Sequence, residues 1–205
     1  RIEAAEREQR VIAEALRETA LVLSSSLKLP EVFDHILMSI GRVVPHDAAA
    51  LLLVEEDRVY IGQVKGLDEN NAELQEKIKH YQIRFGESPV FDHMLRTQAP
   101  LLMADWHDGD SPDYIPGMAG MRSFVAAPIL NNKTVMGFLK LYSKTLMFFD
   151  ENDAQLLQVF GAQAAIALRN AHAHEQGQAL AVLNERHRLA RELHDAVTQT
   201  LFTAN

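Results

Sequence analysis

Apolar residues recur along this chain with two different periods, and the switches between them divide it into segments. Over residues 1 to 27, Ile2, Ala5, Ile12, Leu16 and Leu23, with Gln9 and Thr19 between them, fall three and four apart in a background of Glu, Arg and Ala. That spacing lays one narrow stripe along an α-helix, which fits a coiled-coil seam better than a wide core face. A second helix is predicted after Pro30, with Val32, Ile36, Leu37 and Ile40 inward and Gly41 and Pro45 bracketing its end. The period then shortens. The run Ala48 to Val54, the turn Glu55-Glu56-Asp57 and Val59-Tyr60-Ile61 predict a strand, a hairpin turn and a second strand. A short helix over 69–79, a strand at 82–85, a helix from Ser88 to Arg96 and a strand from Pro100 to Ala104 follow.

Residues 105 to 121 are dense in Asp, Gly, Ser and Pro, the longest loop signal in the chain. Strands at 123–130 and 134–142 flank the polar turn Asn131-Asn132-Lys133, a hairpin signal. From about Asp150 the helical period returns. Leu156, Leu157, Phe160, Ala164, Ile166, Ala167 and Ala171 mark one side. Gly177 interrupts the pattern, and Leu180, Leu183, His187, Ala190, His194, Val197 and Leu201 resume it. Some 55 residues of helix would reach roughly 80 Å. An exposed stripe of that length needs a partner, and a second copy of the chain supplies one. Hairpin-joined strands with helices at both chain ends predict an α+β fold, an antiparallel sheet with one face covered by the terminal helices.

Composition narrows the function classes. Net charge is −8, the reverse of the basic surface that grips phosphate backbones, so nucleic acid is not an expected partner. No cysteine is present, which removes disulfides, thiolate chemistry, cysteine-ligated metals and any cysteine-linked chromophore. No apolar run is long enough to span a bilayer in this segment. The histidines His35, His46, His80 and His93 show no metal-ligand spacing, so no metal site is predicted. The chain opens on Arg1 and stops at Asn205 inside a helical pattern, and reads as a piece of a longer, cytoplasmic protein that has its membrane anchor, if any, elsewhere.

The order Gly86-Glu87-Ser88-Pro89-Val90, Leu95 to Leu101, Asp105, Met121 to Ile129, Val135 to Ser143, Phe149, Asp153, Leu156-Leu157 and Ala162 to Ala171 resembles the running pattern of GAF domains over roughly residues 30 to 171. The resemblance implies a sheet with a ligand cavity on one face, between the sheet and residues 100 to 125. Asp105, Trp106, His107, Asp108, Tyr114 and Arg122 occupy or flank that loop. Asp105, Trp106, His107, Tyr114 and Arg122 are therefore the candidate ligand contacts. Against this stand ordinary roles: Trp106 plugging the loop against the core, Arg122 pairing with a loop carboxylate, and His107 as a lone histidine that makes no site. Asn132-Lys133, Phe149 and Asp153 also match part of a motif of cyclic-nucleotide-binding GAF domains, but Ala154 stands where that motif has Glu. Lys133 and Asp153 are equally compatible with a structural ion pair. The GAF ligand, haem and an empty cavity included, stays open.

Toward the end, Glu185-Arg186-His187-Arg188-Leu189-Ala190-Arg191-Glu192-Leu193-His194-Asp195-Ala196-Val197-Thr198-Gln199 resembles the phosphoacceptor segment of nitrate-sensor-type histidine kinases. At 100° per residue, His194 falls about 70° from the centre of the apolar side, at its edge. The resemblance implies that His194 is the phosphoacceptor, that Asp195 acts as its base, and that Gln199 positions water for dephosphorylation. Arg188 and Arg191 are candidates to attract phosphates or a regulator's acidic site. The expected partners are a second copy of the chain, a response regulator and an ATP-binding domain that would follow Asn205 and hold ATP. The expected organisation is a signalling helix over 1–27, a GAF sensor over 28–171, and a linker and phosphoacceptor helix over 172–205. The alternative is a non-enzymatic GAF module that dimerises or binds a small regulatory ligand.

Overall fold

The computed structural model describes residues 29–68, 70–106 and 113–203, with Ala13, and the side chains of these except 175, 176, 179 and 191–203. Of the helix predicted over 1 to 27, all but Ala13 lies outside them. Two compact units are present, Arg1–Leu168 and Arg169–Asn205.

The first unit is built on six strands: β1 (Ala48–Glu55), β2 (Arg58–Lys65), β3 (Gln82–Arg84), β4 (Leu101–Met103), β5 (Ser123–Asn131) and β6 (Thr134–Ser143). They form one sheet in the order β3-β2-β1-β6-β5-β4, every neighbouring pair antiparallel. Helices α1 (Leu29–Gly41), α2 (Ala72–Lys79), α3 (Pro89–Thr97) and α4 (Glu151–Thr203) complete the set. This is the predicted α+β arrangement.

Successive strand residues point to opposite faces, and both faces are covered here, so the central strands are mostly apolar, with Lys140 of β6 a buried exception. One core joins Leu51, Val125, Ile129, Leu139 and Leu141 to Ile36 and Ile40 of α1 and to Leu157, Phe160 and Leu168 of α4. The other joins the alternate residues Leu52, Phe124, Phe138 and Tyr142 to Phe91 and Met94 of α3 and to Trp106, Ile115 and Met118 of the β4–β5 loop. Helices from the two ends of the sequence thus cover one face, as predicted, and α3 with the loop covers the other.

Local signals explain the boundaries. Ser88, predicted as the first helical residue, is instead the cap of α3: its hydroxyl accepts from the Phe91 amide at 3.2 Å, and Pro89 follows in the first turn. The α2 cap is Asn71, which accepts from Leu74, so that helix begins at Ala72 rather than at 69. At the start of α4, Asp150 accepts from the Asn152 and Asp153 amides, and the Asp153 carboxylate accepts back from the Asp150 amide. Asp153 is occupied there, and no Lys133–Asp153 ion pair occurs among the described residues. The expected structural pair is therefore replaced by a helix cap. The β5–β6 turn is Asn132-Lys133, with Asn132 at φ 56°, a conformation Asn tolerates.

Two glycines of α4 differ in kind. A Cβ on Gly161 would lie 2.9 Å from the Pro128 carbonyl oxygen, whereas one on Gly177 would meet nothing within 4 Å. The helix runs unbroken through Gly177, because a single glycine costs only about 1 kcal/mol against alanine. Gly161→Ala is expected to lose about 1–3 kcal/mol by forcing α4 off the sheet, despite alanine's better helix propensity. Urea unfolding followed by far-UV circular dichroism checks this; a midpoint at or above wild type would contradict the close approach.

Candidate functional site

The loop residues singled out from the sequence fall into three groups. Trp106 is buried, its ring stacked on Tyr114 with centroids 6.2 Å apart and edge-on to Phe124 at 6.0 Å. Its amide donates to the Arg122 carbonyl at 2.7 Å. Asp105 and Arg122 form an ion pair at 3.3 Å, both half-exposed. That is the structural pairing weighed for Arg122, and at such exposure it contributes at most about 1 kcal/mol. His107 and Asp108 lie outside the described residues.

Beneath this loop lies a polar cluster that the sequence reading missed. Lys140, in the middle of β6, is fully buried, and its Nζ donates to Asp113 Oδ2 of the loop at 2.7 Å, with side-chain exposures of 0% and 1%. The ammonium lies 4.2 Å from the centroid of the Phe124 ring and 5.1 Å from that of Tyr142. Burial pushes the Lys140 pKa down, and Asp113 opposes that shift by stabilising the charged form. The same core holds three buried polar atoms without hydrogen-bond partners: Tyr81 Oη, Tyr142 Oη and Trp106 Nε1. Burial, reinforced by the Asp113 charge, pushes both phenols well up, so each keeps its proton. An unpaired buried polar group costs about 1–3 kcal/mol, and three on one face of one sheet is a concentration of such cost. The available signal was Lys140 itself, a lone charge in the apolar run Val135 to Tyr142 with the parity of Phe138 and Tyr142.

The second candidate site lies in the second unit. His194, Asp195 and Gln199 are on α4, whose backbone is helical through Thr203. Gln199 therefore follows Asp195 by one turn on the same flank. The side chains of all three and of Arg191 lie outside the described ones. Upstream, Arg188 makes a two-pronged pair with Glu185, Nε to Oε2 at 3.0 Å and an outer nitrogen to Oε1 at 2.6 Å. That hydrogen bond holds the Glu185 carboxyl below its usual range. Arg188 is thus paired with a carboxylate one turn back along its own helix. Leu180, Val182, Leu183 and Leu189 are exposed, at 61%, 54%, 51% and 45%. Among the described residues no group of His, Asp and Glu is placed to hold a metal ion, and no helix is long and apolar enough to cross a membrane.

The two sites correspond to two families. The GAF domain family model matches residues 26–169, most of the chain, and the chain belongs to that family. A histidine kinase family model matches residues 185–205, so the GAF domain is followed by the opening of a histidine kinase region. The sensor histidine kinase YhcY of Bacillus subtilis (strain 168) is 33% identical over 86 residues, 42% of this chain and 23% of that protein. The matched part is thus about a quarter of that relative's length. Among solved structures, the GAF domain of an Acinetobacter phosphoenolpyruvate-protein phosphotransferase superimposes with a TM-score of 0.65 at 22% identity, over 78% of this chain and 94% of that one. A free methionine-R-sulfoxide reductase from Neisseria meningitidis, solved with its substrate, gives 0.62 at 17% identity, over 80% and 91%. At these identities the likeness establishes the fold.

Proposed function

We infer that this chain is the sensory and phosphoacceptor part of a two-component histidine kinase, in which the GAF unit regulates ATP-dependent phosphorylation of His194. The observation that carries the reading is that one α-helix, Glu151–Thr203, both packs on the GAF sheet and bears the segment matched by the histidine kinase family. The likeness to a sensor histidine kinase supports it. The exposed Leu180, Val182, Leu183 and Leu189 support a homodimer, since a second copy would cover apolar side chains that one chain leaves in water.

The proposed chemistry follows from the residue types. A neutral imidazole nitrogen of His194 attacks the γ-phosphorus of ATP in line; an N–P bond forms as the P–O bond to ADP breaks. Asp195 orients the ring through its other nitrogen and takes the proton released. The phosphoryl group then passes to an aspartate of a response regulator, breaking N–P and forming P–O. Gln199 positions water for the reverse, dephosphorylating reaction on the regulator. ATP is held by a separate ATP-binding region of the parent protein. A change at the GAF unit biases the packing of the dimeric helices, and Gly177, with no neighbour to brace it, is the soft point through which that bias reaches His194.

The test supplies an ATP-binding region of this kinase family in trans with radiolabelled ATP. The wild-type chain is expected to gain a label that acid removes and base does not, the signature of phosphate on histidine. An unlabelled chain, or an acid-stable label, would remove the reading.

A further inference from the structure

The edge of the sheet at β3 is closed along only part of its length. β3 pairs with Arg58, Val59 and Tyr60 of β2, so residues 61–65 have β1 on one side and no strand on the other. Where β3 itself is the edge, the chain caps it. The Arg84 amide donates to the Glu87 carboxylate at 3.0 Å, and the Arg84 carbonyl accepts from the Glu87 amide at 3.1 Å. Those bonds turn the Arg84 backbone away from β2. Ile83 and its partner Val59 therefore face each other, and alternation turns Ile61 outward in the same direction as Val59. The next rung would pair Ile61 with Tyr81, but the Tyr81 amide donates to the Ile78 carbonyl at 3.2 Å as the chain leaves α2. Among the described residues no backbone hydrogen bond reaches the outer side of residues 61–65.

This open edge is one wall of a groove. The other wall is α2, which has no buried residue, and the space between them is about 700 Å³. Ile61, Val64 and Leu67, with Ile78 of α2, give the groove an apolar side. Gly62 is the extra residue of a bulge against β1, and that bulge is what sets Ile61 and Val64 on one side. On the opposite face of the sheet, Gln63 and Lys65 each reach Asp34 of α1 at 2.9 Å. Lys79 lines the groove at the end where α2 passes to β3, and it makes no ion pair among the described residues.

A row of outward N–H and C=O groups at strand spacing is matched by another backbone. An added strand would lie about 4.8 Å from β2 and alternate its side chains. One set would meet Ile61, Val64 and Ile78, and the other would lie toward Gln63 and Lys65. The sheet edge of a second copy would bring its own neighbouring elements against α2, whereas a lone extended segment brings none. The cation of Lys79 calls for an acidic side chain at that end. We propose that the groove between the β2 edge and α2 takes an extended peptide segment of a partner protein, alternating apolar and polar residues with an acidic one at Lys79, which adds a strand to the sheet in line with β3. The inference goes beyond phosphotransfer and rests on the first unit alone, so it stands or falls separately from the kinase reading.

The probe is a fluorescein-labelled Thr-Val-Thr-Val-Asp amide. Its anisotropy is titrated with the 205-residue chain, and amide hydrogen exchange of the chain is followed by NMR with and without it. Saturable binding is expected, with exchange of the Ile61 amide slowed at least tenfold at saturation. N-methylation of one alternate set of peptide amides blocks pairing while the other set faces away, so the two methylated peptides are expected to differ at least tenfold in affinity. Lys79→Glu is expected to keep the circular dichroism spectrum and weaken binding about threefold to tenfold, a gap that narrows as salt is raised. No saturable binding, binding without slowed Ile61 exchange, equal affinities of the two methylated peptides, or an unchanged affinity in Lys79→Glu would overturn the proposal. So would an Ile61 amide already protected in the free chain. Protection that rises with chain concentration would give the edge to a second copy, and protection independent of concentration would give it to another segment of the same chain.

Discussion

His194→Gln is expected to leave the chain folded and wholly unlabelled when an ATP-binding region and radiolabelled ATP are supplied. Glutamine is a good helix former, so helix content should not change. The amide nitrogen has no lone pair basic enough to attack phosphorus, so the loss should be complete rather than partial. Asp195→Asn is the graded companion. It keeps the shape and removes the charge that fixes the imidazole tautomer and takes its proton. A positioned acid–base group of this kind contributes about 10²–10⁴-fold, so initial labelling should slow by that factor without being abolished. Label persisting in His194→Gln would move the phosphoacceptor elsewhere, His187 on the same helix being the next candidate. Equal initial rates for Asp195→Asn and wild type would remove the base role.

The largest stability effect is expected at Asp113. Asp113→Ala leaves the Lys140 ammonium buried and without its carboxylate, and breaking a buried pair from one side costs about 3–5 kcal/mol. That is a large share of the roughly 5–15 kcal/mol that holds a typical domain folded. Removing both partners, Lys140→Met with Asp113→Leu, should recover most of the loss, because the double change leaves neither charge stranded. The pH dependence has a definite sign. Burial depresses the Lys140 pKa below its ordinary 10.5, so between the two values the unfolded chain binds more protons than the folded one. Stability from this group therefore rises with pH across that window. Without Asp113 the depression deepens and the window reaches lower. The deficit of Asp113→Ala should accordingly shrink as pH is raised from about 7 toward 10, where Lys140 can fold uncharged. Urea unfolding of wild type, single and double variants across that range measures it. A loss under about 1 kcal/mol, or one that does not change with pH, would show that the pair is not the buried charge described.

The organisation of the sheet was legible because it is written in local periods. The apolar runs of β5 and β6, the Asn132-Lys133 turn and the three–four spacing after Asp150 each depend on residues close in sequence, and each led to the element observed. The histidine kinase segment was legible for a different reason: its likeness is carried by consecutive residues on one helix. The buried cluster around Lys140 was not. Trp106 and Arg122 were noticed because they are conspicuous in a polar loop, and both were found in the ordinary packing and pairing roles weighed for them.

What the amino-acid sequence determined alone was therefore the element order, the α+β class, the absence of any cysteine chemistry and the place of His194 on a helix. What the tertiary structure decided was which side chains share an environment. Lys140 and Asp113 are 27 positions apart, and Tyr81 is farther still from Tyr142. Only the antiparallel ladder from β3 through β2, β1 and β6 to β5, and the packing of the loop over the sheet, place them in one core. A buried charge and its counter-charge are a property of the dielectric around them, and that environment exists only once distant segments have excluded water from the same volume.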